Sequence, residues 1–121
     1  MPQKILIIDD DLLNVKLLKT RLESNHYEVI TAANGEEGLQ KVVKEKPDAI
    51  ILDVQMPKMN GYTFMLEFRK LGDVSMIPVI VLTAHGEMQP IFTLKGVRGY
   101  IVKPIQFELL FEKLNSLLGP P

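Results

Sequence analysis

Short apolar runs and longer amphipathic stretches alternate along the whole chain. The apolar runs are Ile5–Ile8, Val29–Ala32, Ala49–Leu52, Val79–Leu82 and Tyr100–Val102. Each has strand length, and several are rich in Ile and Val, whose branched side chains suit a pleated surface. Between them, Val15, Leu18 and Leu22 recur at helical spacing, as do Leu39, Val42 and Val43. Met65, Phe68 and Gly72 follow the same spacing more weakly, and Phe107, Leu110, Phe111, Leu114 and Leu118 form the clearest stripe. Stop signals agree: Pro47 follows the second helical stretch, Gly72 closes the third, and Gly119-Pro120-Pro121 ends the last.

Five β-then-α units predict an α/β fold, a doubly wound parallel sheet with helices on both faces. The first, third and fourth runs are apolar throughout, as strands covered on both faces must be. The second and fifth are mixed, as sheet edges are. Placing the uniform runs centrally gives the five-stranded order 2-1-3-4-5, a flavodoxin-like three-layer α/β/α sandwich. In such sheets the binding crevice lies beyond the carboxyl ends of the strands, where the winding direction changes. Here that point falls between strands 1 and 3.

The 121 residues fit one domain, spanning 1–121, without internal repeat or linker. Composition then removes function classes. With 14 basic against 15 acidic residues the net charge is −1, which argues against a nucleic-acid or anionic-membrane coat. The absence of Cys excludes disulfides, cysteine-based zinc sites and thiol catalysis. No apolar run reaches membrane-span length, and the N-terminus leads through Lys4 into a strand without a signal peptide, so a cytoplasmic location is expected.

Chemistry collects at one edge of this sheet. Strand 1 ends in Asp9-Asp10-Asp11, strand 3 in Asp53, strand 4 in Thr83-Ala84-His85 and strand 5 in Lys103-Pro104. Because strands 1 and 3 are neighbours, Asp9, Asp10 and Asp53 must converge. Three carboxylates in one crevice repel unless a cation offsets them. Hard oxygen ligands with few protein contacts suit Mg²⁺, which keeps several waters. A cation, a lysine, a hydroxyl and a carboxylate around one pocket are the parts needed to hold a phosphoryl group. Each residue alone has a plainer reading. Asp11 is a candidate helix cap, Thr83 could cap a following helix, Lys103 could be solvated, and Tyr100 could be a half-buried strand residue. Convergence on one edge weakens those readings together.

The segments "IIDDD" (7–11), "LDVQMPKMNG" (52–61), "VLTA" (81–84) and "GYIVKP" (99–104) carry a resemblance. In this order and spacing the chain resembles the receiver domain of two-component response regulators from end to end. The resemblance implies a phosphoacceptor switch rather than a turnover enzyme. Asp53 would be the phosphoacceptor, receiving its phosphoryl group from a sensor histidine kinase or a histidine phosphotransfer protein. Asp10 would be a direct Mg²⁺ ligand, Asp9 would act largely through water, and the backbone carbonyl of Gln55 would complete the protein ligands. Thr83 and Lys103 would contact the phosphoryl oxygens, Tyr100 would change rotamer on activation, and Pro104 would follow a cis peptide bond. Gln55 and His85, two residues beyond Asp53 and Thr83, would overhang the pocket and tune the lifetime of the acyl phosphate. A downstream protein partner, or an effector domain beyond residue 118, would read the switch, and a phosphorylation-dependent dimer is compatible with it. No direct nucleic-acid or membrane contact is expected.

The fourth helical stretch, "HGEMQPIFTLKG" (85–96), departs from the family by its shortness. It carries Pro90, which costs about 3 kcal/mol inside a helix beyond the first turn. The segment is therefore expected to be short or irregular and to expose Met88, Ile91 and Phe92 as a partner-facing patch. Three competing classes fit less well. A haloacid-dehalogenase-type phosphatase would place a second Asp where Gln55 stands. A flavodoxin would need a Ser/Thr/Gly-rich phosphate loop where "DDDLLN" would repel phosphate. A pseudo-receiver without phosphotransfer would have no reason to keep every acid and Lys103.

Overall fold

The computed structural model describes residues 2–54, 60–84, 91 and 94–120. Along the chain run β1 (Lys4–Ile8), α1 (Leu12–Ser24), β2 (Glu28–Ala32), α2 (Gly35–Glu45), β3 (Ala49–Asp53), α3 (Gly61–Phe68), a 3₁₀ turn (Gly72–Met76), β4 (Val79–Thr83), β5 (Val97–Val102) and α4 (Phe107–Leu118). The five strands pair in the order β2-β1-β3-β4-β5, every pair parallel. The order expected from the apolar runs is the order found.

Strand periodicity divides the core in two, because successive side chains leave a strand on opposite faces. Leu6, Ile8, Ile50, Leu52, Val79 and Val81 meet Val42 of α2 and Phe64, Met65 and Phe68 of α3. Ile5, Ile7, Ile51, Ile80 and Leu82 meet Leu18 and Leu22 of α1 and Leu110 and Leu114 of α4. The central strands β3 and β4 are buried at all five positions, which is why they lack alternation in sequence. The edges β2 and β5 alternate or stay half-buried. On the α1–α4 face Tyr27 is buried, and desolvation pushes its phenol above the ordinary tyrosine range.

Helix boundaries follow local chemistry. Asp11 caps α1, its side chain accepting from the amides of Leu13 and Asn14, and Asn34 and Asn60 cap α2 and α3 in the same way. At the end of α2, Lys46 takes a left-handed conformation and Pro47 cannot continue the helix.

Four expectations need correction or limitation. The third helix ends at Phe68, not at Gly72; Gly72, with φ of 74°, instead opens the 3₁₀ turn, a conformation that glycine adopts without strain. Val43 is half exposed, so the buried stripe of α2 narrows to Val42 with Leu39 beside it. The fifth strand begins at Val97, three residues before the apolar run. Of the 85–96 segment, residues 85–90, 92 and 93 lie outside the described residues, so the expected short helix around Pro90 and the exposure of Met88 and Phe92 fall there. Ile91 is described and is buried, not exposed. It packs with Phe64 and Met65 in the α2–α3 core, an apolar anchor that a partner-facing surface would not have supplied.

Candidate phosphoryl and cation site

The winding direction reverses between β1 and β3, since α1 leads from β1 to one edge and α2 leads back past it to β3. Among the described residues no helix crosses over the carboxyl ends of these two strands, and the crevice opens there. Register aligns the strand ends: Ile8 pairs with Leu52, and Asp53 with Leu82. Asp9 continues from β1, its amide donating to the Ala32 carbonyl at 3.1 Å. The chain places Asp9, Asp10 and Asp53 so that one carboxylate oxygen from each lies within 4.8 Å of the others.

Burial is uneven within the cluster. Asp9 and Asp53 are almost wholly buried, at 1% and 4% exposure, whereas Asp10 faces solvent. Among the described residues, the buried polar or charged side chains are Asp9, Asp53 and Thr83, all at this edge. A core that otherwise accepts only apolar groups at its strands has concentrated its polar exceptions in one crevice.

Lys103 enters from the far side. Its ammonium lies 3.3 Å from Asp53 Oδ1, and its backbone amide donates to the Thr83 carbonyl at 2.8 Å. The Lys103–Pro104 peptide bond is cis. Thr83 ends β4 with 2% exposure, and Tyr100 lies on the adjacent edge strand, half exposed. The geometry thus brings together Asp9, Asp10, Asp53, Thr83 and Lys103, with Tyr100 one strand away. Gln55 and His85, named as carbonyl ligand and lifetime residues, lie outside the described residues.

The donor set fits a small divalent cation. Three carboxylates supply hard oxygens, two held rigid by burial and one open to water, and Mg²⁺ is held by one or two carboxylates while retaining waters. The ammonium of Lys103 supplies the remaining positive charge. Together these can neutralise an anionic group placed against Asp53.

The backbone around Asp53 is held from below by Gly61. Its amide donates to the Val54 carbonyl at 2.8 Å, and a Cβ at this position would lie 2.9 Å from Val54 Cα and 3.3 Å from the Asp53 carbonyl oxygen. The obstacle is backbone, which cannot rotate away. Gly61→Ala is therefore expected to destabilise by about 1–3 kcal/mol through overpacking and to displace Asp53. Urea denaturation together with the time course of phosphoryl uptake checks this, and wild-type values in both would disprove the close-approach account.

One site residue was not found in the sequence. Asn14 donates from Nδ2 to Asp9 Oδ2 at 2.5 Å. Its signal was present: it is the third residue of α1, and helical side chains lean toward the N-terminus, here toward Asp9.

Comparison with known proteins shows the family and the fold. A family profile described as response regulator receiver domain matches residues 5–115. The chain is 45% identical over 118 residues to the "Probable transcriptional regulator ycf27" of Pyropia yezoensis, covering 96% of this chain and 47% of that protein. It spans about half the length of the curated relatives it matches. Among solved structures, chemotaxis protein CheY4 of Vibrio cholerae superposes with a TM-score of 0.88 at 34% identity, over 98% of this chain and all of that one. The receiver domain of sensor histidine kinase PA1611 from Pseudomonas aeruginosa superposes with a TM-score of 0.89 at 27% identity, over 98% of this chain and 99% of that one. That structure has a magnesium ion coordinated in its active site cleft.

Proposed function

The chain belongs to the response regulator receiver domain family of two-component signal transduction, and from that premise we propose that Asp53 is its phosphoacceptor. The observation that carries this reading is the pairing of a buried Asp53 with Lys103 on one side and with Asp9 and Asp10 on the other. In the proposed step, an Asp53 carboxylate oxygen attacks phosphorus of a phosphohistidine. The P–O bond forms as the P–N bond breaks, and the imidazole nitrogen leaves with the electron pair and takes a proton from water. Mg²⁺, when bound by Asp10 and Asp53 with Asp9 behind, supplies charge neutralisation for the phosphoryl oxygens. Lys103 adds a fixed positive charge, and the Thr83 hydroxyl can donate to a phosphoryl oxygen once one is present. Hydrolysis later returns the carboxylate and releases inorganic phosphate, so the chain acts as a switch and not as a turnover catalyst.

The donor is a histidine kinase or a histidine phosphotransfer protein. Leu12, Leu13 and Leu17 leave α1 beside the crevice with exposures of 79%, 81% and 51%, an apolar surface on which a donor helix can lie. Output runs through β5: drawing Thr83 toward the phosphoryl group frees space that Tyr100 then fills, a two-state repacking read by a downstream partner, an effector domain or a second copy. A cytoplasmic site of action suits this chemistry, and no helix among the described residues is long and apolar enough to cross a membrane.

Incubation with acetyl phosphate and Mg²⁺ tests the reading by mass. One added phosphoryl group is expected, and none when the metal is chelated before the donor is added. Absence of uptake with both present would leave the pseudo-receiver alternative standing.

Gln55 and His85 are proposed to set the lifetime of the acyl phosphate by screening or orienting the hydrolytic water. The double alanine variant is expected to change the dephosphorylation rate several-fold, followed as loss of the phosphorylated mass after donor removal. A rate equal to wild type would reduce both to passive rim residues.

A further inference from the structure

Asp9 is a carboxylate with 1% exposure, and such a group needs donors on its oxygens. Both of its oxygens have one. Asp9 Oδ1 accepts from the backbone amide of Asp11 at 3.0 Å, and Oδ2 accepts from Asn14 Nδ2. The two donors come from one structural unit. Asp11 is the cap of α1, its own side chain accepting from the amides of Leu13 at 3.0 Å and Asn14 at 3.4 Å. Asn14 closes the circuit by returning its side chain to Asp9. The first turn of α1 is thus bolted to the carboxylate that stands behind the cation site.

The amide has only one productive orientation. Its oxygen turned toward Asp9 Oδ2 would set an acceptor against an acceptor, so Nδ2 points to Asp9. These two donors fix which way the oxygens of Asp9 face.

We propose that Asn14 is a positioning residue of the cation site: its amide locks the orientation of the Asp9 carboxylate and thereby raises the affinity for Mg²⁺. The proposal rests on the cation reading given above and deepens it. Asn14 needs no contact with the ion, because it acts through Asp9, as outer partners of metal ligands do.

The test is an Mg²⁺ titration of the unphosphorylated protein, followed by amide chemical shifts. Asn14→Leu keeps the side-chain shape, removes the donor and is a better helix former, so the fold is retained. Its dissociation constant is expected to rise by about tenfold or more, the usual cost of losing such a partner. Asn14→Ala should behave alike. Lys19→Gly, exposed and more than a turn away on α1, loosens the helix without touching Asp9 and should leave Mg²⁺ affinity within about twofold, since exposed helix glycines act on stability alone. Wild-type affinity in Asn14→Leu overturns the proposal and leaves the cation reading intact. Equal losses in Lys19→Gly and Asn14→Leu also overturn it, because helix stability would then be the cause. A wild-type protein that binds no Mg²⁺ overturns both readings.

Discussion

Asp53→Asn protein, incubated with acetyl phosphate and Mg²⁺, gains no mass. Asparagine matches aspartate in shape, and its amide can still face the Lys103 ammonium, which lies 3.3 Å from Asp53 Oδ1. What disappears is the nucleophile. A neutral amide oxygen attacks phosphorus poorly, and the anhydride between a carboxylate and phosphate cannot form from it. The cost to folding should be small. The ion pair that is lost includes a lysine with about a third of its side chain exposed, so its net worth is about 1 kcal/mol or less. Removing one of three converging negative charges works in the opposite direction. The variant should therefore fold like wild type, by circular dichroism and urea denaturation, and take up no phosphoryl group. Uptake at the wild-type rate would place the acceptor elsewhere and sink the proposed function.

Asp10→Ala is the second large effect, with two readouts of opposite sign. Mg²⁺ binding should become unmeasurable, because the solvent-facing member of the cluster is the one most open to an incoming hydrated cation. Stability in EDTA should rise. Two unit charges within 4.8 Å of each other repel by at least about 1–3 kcal/mol for effective dielectric constants between those of water and a protein surface. Asp10 is exposed, so its release from repulsion belongs at the lower end, about 1 kcal/mol. In Mg²⁺ the ranking should invert, since wild type gains binding energy that the variant cannot. A clear loss of stability on Asp10→Ala in metal-free buffer would contradict the repulsion account.

Much of this molecule is legible along the chain because its main signals are local. The apolar runs of β1, β3 and β4 are uniform since both faces of the sheet are covered, and that uniformity identifies them as central strands. Once their order is known, the ends of β1 and β3 must meet, and every acid at those ends enters one crevice. Asp9, Asp10, Asp53, Thr83 and Lys103 could be gathered this way because each is the first or last residue of its run or lies close to it. Their chemistry needs only residue type and strand position, and both are written in one dimension.

Other features depend on distances between residues that no periodicity links. The apolar spacing that extended the third helix to Gly72 could not show where its hydrogen bonds stop; the chain leaves the helix after Phe68 and re-enters a 3₁₀ turn. Ile91 read as exposed because its neighbours in sequence include a proline and few charges, yet packing against Phe64 and Met65 buries it. The close approach of Gly61 to the Val54 backbone links two positions that no apolar or polar spacing relates. Hydrophobic patterning, capping residues and the spacing of acids decide the architecture and the contents of the crevice, because burial and helix termination act on neighbouring residues. Tertiary structure alone decides which donor satisfies a buried carboxylate: the Asp9–Asn14 bond exists only when the first turn of α1 is wound and docked on the end of β1, a geometry fixed by the Leu18 and Leu22 contacts with the sheet.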